Sequence, residues 1–589
     1  MFKKNDGHRQ RSVFDTVAAL PAAYQQQLDE SWAGTFYRDF FCRIDEEPFA
    51  VLYSDQASRP NSPVNELIGL EVLKAGHGWS DEEMYNHFCF DIQVRYALGL
   101  RSLLPVGLTL RTVYNFRQAL REHMEQTGED LFGSAVEHVT DEQIAAYGLQ
   151  TDKQRMDSFQ ISSNMRRLSR LALLVTVIQQ VWQMLSAADQ AREGPALAPY
   201  LRGTAHQFCY RLKDDEPQTE LKRLGQLMRR LVTELQEPYG HEEAYALLAR
   251  VYAEQFIEEP ADPTDPDPPP AGVRPRQGDE LSAASLQSPT DPEATFRHKQ
   301  GQNYQGYVCN LTETCHPANP VQLITKTQVA PNVTDDEALL VAALPDLVAR
   351  TDLDEMHLDG GFNGPDADAT AHTHSVTLQY TAIRGGEPGP LAQLLTQLTW
   401  LRDAEHQLVA LVTPTGRRLD LRPGRKEGRY IVHVPLDVVE AVPERWQTVP
   451  LRWLKRAACF ALYLQERQIA VAENRQRMQQ QRQGGKQLRP AVEATVRSVK
   501  HPFPGGKAPV RGQIRLGLML MASSAMTNIR RLWRYQQTQL TRQAIQQHPE
   551  RSMVASPIVH ALWRGDLQLL SWLSKAMCVT KRSLSVTLV

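Results

Sequence analysis

The sequence is short of the features that mark secreted, zinc-stabilised and membrane proteins. Its seven cysteines, Cys42, Cys89, Cys209, Cys309, Cys315, Cys459 and Cys578, include no CxxC pair, and the closest two are Cys309 and Cys315. A structural zinc site needs clustered ligands, so none is expected. An odd, dispersed set of cysteines in a chain of 589 residues reads as reduced thiols in a cytosol. The first thirty residues lack the apolar core of a signal peptide. The longest apolar stretch, Leu516 to Met526, has about half the length needed to span a bilayer and reads as a buried helix. No internal repeat is present. Net charge is nearly absent too: 65 Lys and Arg against 68 Asp and Glu leave −3. Spread evenly, that balance would argue against a nucleic-acid partner. It is not spread evenly, because residues 451–550 hold 18 Lys and Arg against 4 Asp and Glu. Such a block inside a near-neutral chain points to a polyanion footprint, the alternative being a solvated helical surface.

At about 150 residues per domain the length allows three or four domains, and the composition, 42% hydrophobic and 23% charged, is that of a globular protein. Residues 1–60 read as an N-terminal arm. Residues 61–148 read as helices: Ser62 and Pro63 open the first and Gly76 closes it, Ser80 and Glu83 form a capping box, and Thr109 caps the helix that follows. From Ile92 to Arg121 there are five arginines, Arg95, Arg101, Arg111, Arg117 and Arg121, and no acid. A three-helix unit with a basic last helix suits either a helix-turn-helix type of DNA binder, contacting DNA through Arg111, Arg117 and Arg121, or a dimerisation bundle. Residues 149–165 read as the first part of an α/β core, and 166–256 as a helical insertion whose LSRLALLVTVIQQVWQML is apolar almost all round. Residues 257–293, with nine prolines and a run of acids from Glu258 on, read as a disordered linker.

Beyond the linker the period changes. YQGYVCNLTE and PVQLITKTQVAP read as adjacent strands, DDEALLVAALPDLVAR as a helix, and MHLDGG and SVTLQYTAI as further strands, which together imply an α/β layer at 294–385. Residues 386–446 read as a small β-rich insertion, 447–535 as C-terminal helices of the core and 536–589 as a helical tail.

Three acids stand out. Asp359 ends a short buried strand before Gly360 and Gly361, at the sheet edge where open α/β sheets place ligands, although Asp-Gly is also a common turn pair. Glu493 lies on one helical face with Arg489, Arg497 and Lys500. One acid among three cations suits a metal ligand lying along a phosphate backbone, and equally an exposed row of ion pairs. Asp157, in QRMDSFQISSN, fits a capping box with Gln160 for the helix that follows.

Taken in order, RMDSFQISSN, ATFRHKQGQNYQGYVCNLTE, LDGGF and RPAVEATVRSVK with VRGQIRLGLMLMASSAMTNIRRLWRY resemble a bacterial insertion-sequence DDE transposase. The stretch ELIGLEVLKAGHGWSDEEMYNHFCFDIQVRYALGL, followed by LTLRTVYNFR, resembles the helical N-terminal domain common in that family. The likeness covers roughly residues 60–170 and 290–535, and its strength lies in the order of the motifs. It implies an α/β RNase H-like catalytic core, a mixed sheet flanked by helices, with an all-α N-terminal domain and two insertions. By motif, Asp157, Asp359 and Glu493 match the family's three carboxylates. The family often spaces Tyr, Arg, Glu and Lys as Arg489, Glu493 and Lys500 are spaced here, but Lys486 stands where the tyrosine would be. That departure puts the tyrosine's role in doubt.

The resemblance implies two Mg²⁺ ions, with Mn²⁺ as a substitute, held by the three acids. It implies double-stranded DNA partners, namely terminal inverted repeats and target DNA, with Arg489, Arg497 and Lys500 on phosphates near the cut. It further implies a homodimer that brings two ends together, no membrane, and a bacterial cytoplasmic, nucleoid-associated location. In similar transposases the second-gap insertion helps organise the DNA end. Two rivals stand beside strand cleavage and transfer. One is a DNA-binding protein of the same ancestry that no longer cuts. The other is a hydrolase using two carboxylates as acid and base, against which the basic block speaks.

Overall fold

The computed structural model describes residues 2–547 except 10–14, 55, 57–59, 103–106, 214, 260–271, 300, 383–387, 404–406, 427, 442–451, 455–457 and 485–487. Its centre is a mixed sheet. β1 (Lys153–Ile161) is followed by the helical insertion, which closes with the hairpin β2 (Phe256–Glu259) and β3 (Gly272–Pro275). Then come β4 (Thr295–Lys299), β5 (Gln302–Thr314), β6 (Ile324–Pro331), β7 (Glu355–Leu358) and β8 (Thr377–Tyr380). Across the sheet the order is β6-β5-β1-β7-β8, with β4 paired to the start of β5. β5 runs antiparallel to β1 and β6, whereas β7 is parallel to β1 and β8 to β7.

Side chains alternate across β1 because a strand has period two. Met156 faces a cluster with Leu340, Leu344 and Leu347 of the Asp336–Arg350 helix and Phe362. Phe159 and Ile161 face the opposite cluster, shared with Val499, Leu516, Leu520 and Met526 from the C-terminal helices and with the N-terminal helices. The sheet is therefore covered by helices on both faces, as the sequence reading expects. The long Gln513–Gln547 helix contains the apolar stretch Leu516–Met526 and is buried along it. Among the described residues no helix is long and apolar enough to cross a membrane.

Several boundaries need correction. The 1–60 segment is not an arm: helices Ala22–Glu30 and Trp32–Asp39 bury Phe36, and with Phe40, Phe41 and Phe49 it joins the same core as residues 61–148. The first helix of that region is Val64–His77, closed at Gly78 rather than Gly76, and Ser62 does not cap it. Its first amides, Val64 and Asn65, donate to Glu46 Oε2 at 2.9 and 3.2 Å, so the cap comes from the supposed arm. The capping box at Ser80 and Glu83 and the Thr109 cap form as read. The linker reading of 257–293 fails on both flanks of residues 260–271, which themselves lie outside the described residues. β2 pairs with β3, and Leu286 packs into the core of the helical insertion. Proline-rich composition had masked Val273 and Leu286, whose burial holds this stretch down. The β-rich insertion also extends further than 446. Strands β9 (Thr399–Arg402), β10 (Leu408–Val412), β11 (Arg418–Pro423) and β12 (Arg429–Pro435) are joined by β13 (Arg452–Leu454) and β14 (Cys459–Gln465) in one sheet, and the helix Glu466–Gly484 follows β14. Alternating burial along β14 is the strand signal that an Ala- and Leu-rich composition obscured. Nor does a tail begin at 536, since the last helix continues to Gln547; residues 548–589 lie outside the described residues.

Two expected results follow from this packing. Glu259 and Gly272 are ladder partners, so replacing residues 260–271 by a two-residue Asn-Gly turn closes a hairpin at native strand spacing. Soluble yield and circular dichroism should match the parent chain, and a collapse in yield would contradict the pairing. In the Val64–His77 helix, burial first and the nearby Glu46 charge second push the Glu66 carboxyl up to about 7 from 4.5. The fold then holds a proton that the unfolded chain releases, so this contribution to stability is present below pH 4.5 and lost as pH rises through about 7. Glu66→Gln should remove that slope and be more stable at pH 8 by up to about 3 kcal/mol in denaturant melts.

Candidate active site

The β1–β7 ladder sets Arg155 opposite His357. Two residues further along each strand, on the same face, are Asp157 and Asp359. The two strands separate there, because β7 ends at Leu358 and Asp359 turns to cap a short 3-10 turn, its Oδ1 accepting from the Gly361 amide at 2.7 Å. Glu337 fixes the next turn, accepting from the Asp366 and Ala367 amides at 2.8 and 3.2 Å. It lies so close to Gly364 that a Cβ there would sit 1.9 Å from the carboxyl group. Asp157 is in the middle of a strand and caps nothing; the following helix starts at Arg170 and is capped by Ser169.

Glu493 arrives on the Val492–Lys500 helix, which turns Val492, Thr495 and Val499 inward and leaves Glu493 and Arg497 exposed. A buried hub seats this helix. Glu313 of β5, fully buried, accepts from Arg155 Nε at 2.7 Å, from Thr495 Oγ1 at 2.7 Å and from Arg531 Nη1 at 2.7 Å. Arg155 also donates to the Leu488 carbonyl at 2.7 Å, just ahead of Arg489. Sheet, Val492–Lys500 helix and C-terminal helix are thus pinned at one carboxylate. Sequence reasoning passed over Glu313; its only signal is an acid two residues after Leu311 on the apolar face of a strand.

The three acids converge on one guanidinium. Arg489 Nη2 lies 2.7 Å from Asp157 Oδ1 and 3.4 Å from Asp359 Oδ2, and Nη1 lies 3.8 Å from Glu493 Oε1. Side-chain exposure is 13% for Asp157, 34% for Asp359 and 59% for Glu493, so the trio opens to solvent on the glutamate side. Burial raises the Asp157 carboxyl above the ordinary range; Arg489 opposes that shift and the Asp359 charge adds to it.

The cations fall into two groups. Arg489 is held inside the trio, with its guanidinium on Asp157, Asp359 and Glu493. Arg497 is exposed, while Lys500 is half-buried, donating to the Gln160 carbonyl at 3.3 Å with its ammonium 5.3 Å from the Phe159 ring. On the Leu110–Thr127 helix, Arg111 is exposed and Arg121 lies 3.8 Å from Glu125. Arg117 binds Glu71 and Asp81, acids of the neighbouring helices, both at 2.7 Å. Part of the basic block at 451–550 is likewise neutralised internally, through Arg489 and Arg531. Lys486, at the family's tyrosine position, lies outside the described residues.

Among the described residues, no group of three or more His, Cys, Asp and Glu side chains is arranged to hold a metal ion. At the acid trio the shared position belongs to the Arg489 guanidinium. No family model, curated protein or solved structure matches the chain.

Proposed function

We propose that this chain is a DDE transposase of a bacterial insertion sequence, with an RNase H-like core that cleaves and joins DNA strands at element ends. The observation that carries the reading is the meeting of Asp157, Asp359 and Glu493 around one cationic group at the rim of the mixed sheet. These acids come from a central strand, its parallel neighbour and a late helix, in the motif order that the resemblance implies. A mixed sheet in which β5 runs against β1, with helices on both faces, supports the RNase H-like reading.

The donor set suits a hard divalent cation, being all carboxylate oxygen with two members aimed at one point. Asp157, Asp359 and Glu493 would hold Mg²⁺, or Mn²⁺ in its place. When bound, two such ions supply activation of a water or 3′-hydroxyl and stabilisation of the leaving oxygen. The chain's own residues supply position. β1 and the Glu313 hub fix Asp157 and the Glu493 helix, and exposed Arg497 on that helix offers charge to a backbone phosphate. A homodimer holding two ends, in a nucleoid-associated cytoplasmic setting, completes the proposal.

The occupation of the trio by Arg489 favours one second reading, a transposase-derived protein that binds DNA without cutting it. Incubation with a duplex carrying the terminal repeats that flank its gene separates the two. Mg²⁺-dependent nicking at the repeat ends supports the transposase. Salt-sensitive binding with no nicking at any Mg²⁺ or Mn²⁺ concentration supports the second reading.

A further inference from the structure

We propose that Arg489 is a latch on the acid trio, a built-in counter-cation that keeps divalent ions off Asp157 and Asp359 until its guanidinium leaves for a DNA phosphate. The inference rests on reading the trio as a divalent-cation site.

The geometry makes the two occupants exclusive. Arg489 Nη2 is within hydrogen-bond reach of oxygens from both aspartates. A magnesium ion bound to carboxylate oxygens at about 2.0–2.1 Å needs the same space. The competition cannot be relieved by losing a proton, because a guanidinium stays charged. Only movement of the side chain frees the acids.

The position is also one that the side chain can leave. Its Nε is buried without a hydrogen-bond partner, so the guanidinium does not use all its donors where it sits. The 3.4 Å contact to Asp359 and the 3.8 Å approach to Glu493 are long, and only the Asp157 bond is short. The exposed Glu493 marks the open side, on which Arg497 also lies. A phosphate arriving there offers the two parallel acceptor bonds that a guanidinium fork matches best. Transfer of Arg489 from the carboxylates to the phosphate would expose the acids at the moment a scissile strand is present. In the absence of DNA, apparent metal affinity is lowered by the small fraction of molecules whose guanidinium is out.

The test measures Mn²⁺ binding to the chelator-treated full chain, by calorimetry or by the electron paramagnetic resonance of free Mn²⁺, without any turnover. Arg489→Gln should bind Mn²⁺ about ten-fold tighter than the parent or better. Its DNA affinity in EDTA should fall, with the salt slope reduced by about one phosphate contact. Equal or weaker Mn²⁺ binding in Arg489→Gln overturns the latch, and an unchanged salt slope overturns the phosphate as its release. If Arg489→Gln does not fold, Arg489→Lys carries the same comparison, since one ammonium cannot span three carboxylates. Adding Asp157→Asn to the Arg489 variant separates this inference from its premise. Mn²⁺ binding untouched by Asp157→Asn means that the trio is not the metal site. Tight binding in the parent chain that Asp157→Asn removes keeps the metal site and rejects the latch.

Discussion

Asp157→Asn should lower Mg²⁺-dependent nicking of terminal repeats by about 10³-fold or more, the scale on which loss of preorganised charge stabilisation is felt, while DNA binding persists. Asp359→Ala and Glu493→Ala should do the same, and any of the three that cuts normally is misassigned. The asparagine variant has an internal control against unfolding. Burial raises the Asp157 carboxyl, so the fold tolerates its charged form less well than the unfolded chain does. Stability from this group is present below its ordinary 3.8 and lost as pH climbs through the raised value. An uncharged side chain of the same shape escapes that loss. At pH 8 the variant should therefore melt at or above the parent temperature, as expected where function holds a charge in an unfavourable place. A lower melting temperature together with lost cleavage would make Asp157 a structural residue.

Glu313→Ala should be the most damaging substitution for the fold, at about 3–5 kcal/mol. The loss exceeds that of its hydrogen bonds because Arg155 remains behind as a buried charge and Arg531 as a half-buried one, without their common partner. Denaturant melts of the full chain would show an early transition or poor soluble yield. Glu313→Gln should be milder in melts yet still reduce cleavage, since the seat of the Glu493 helix is loosened. A variant with parent-like stability would mean that the hub contributes nothing.

What could be read from the sequence was whatever depends on neighbours in the chain. The Ser80–Glu83 box, the Asp336–Arg350 helix and the pairing of YQGYVCNLTE with PVQLITKTQVAP follow from local periodicity and caps, and all form. The convergence of Asp157, Asp359 and Glu493 came from motif order, since periodicity alone left each acid with an ordinary local explanation. The features missed are long-range. Glu46 capping a helix eighteen residues away, Arg117 claimed by Glu71 and Asp81, and Arg489 turned inward are choices of partner that composition does not encode. Charge counting treated the arginines of 451–550 as one surface, whereas Arg489 and Arg531 are spent on acids from other elements.

The helical insertion lies between β1 and its antiparallel neighbour β5. Ser158 must find Asn310 across that whole excursion. Forming such a non-local pair ordinarily makes folding slow. The insertion has a hydrophobic cluster of its own, and its collapse ahead of the sheet would draw the two ends together and shorten the effective loop. Deletions inside it are then expected to delay assembly of the central sheet rather than simply trim an appendage.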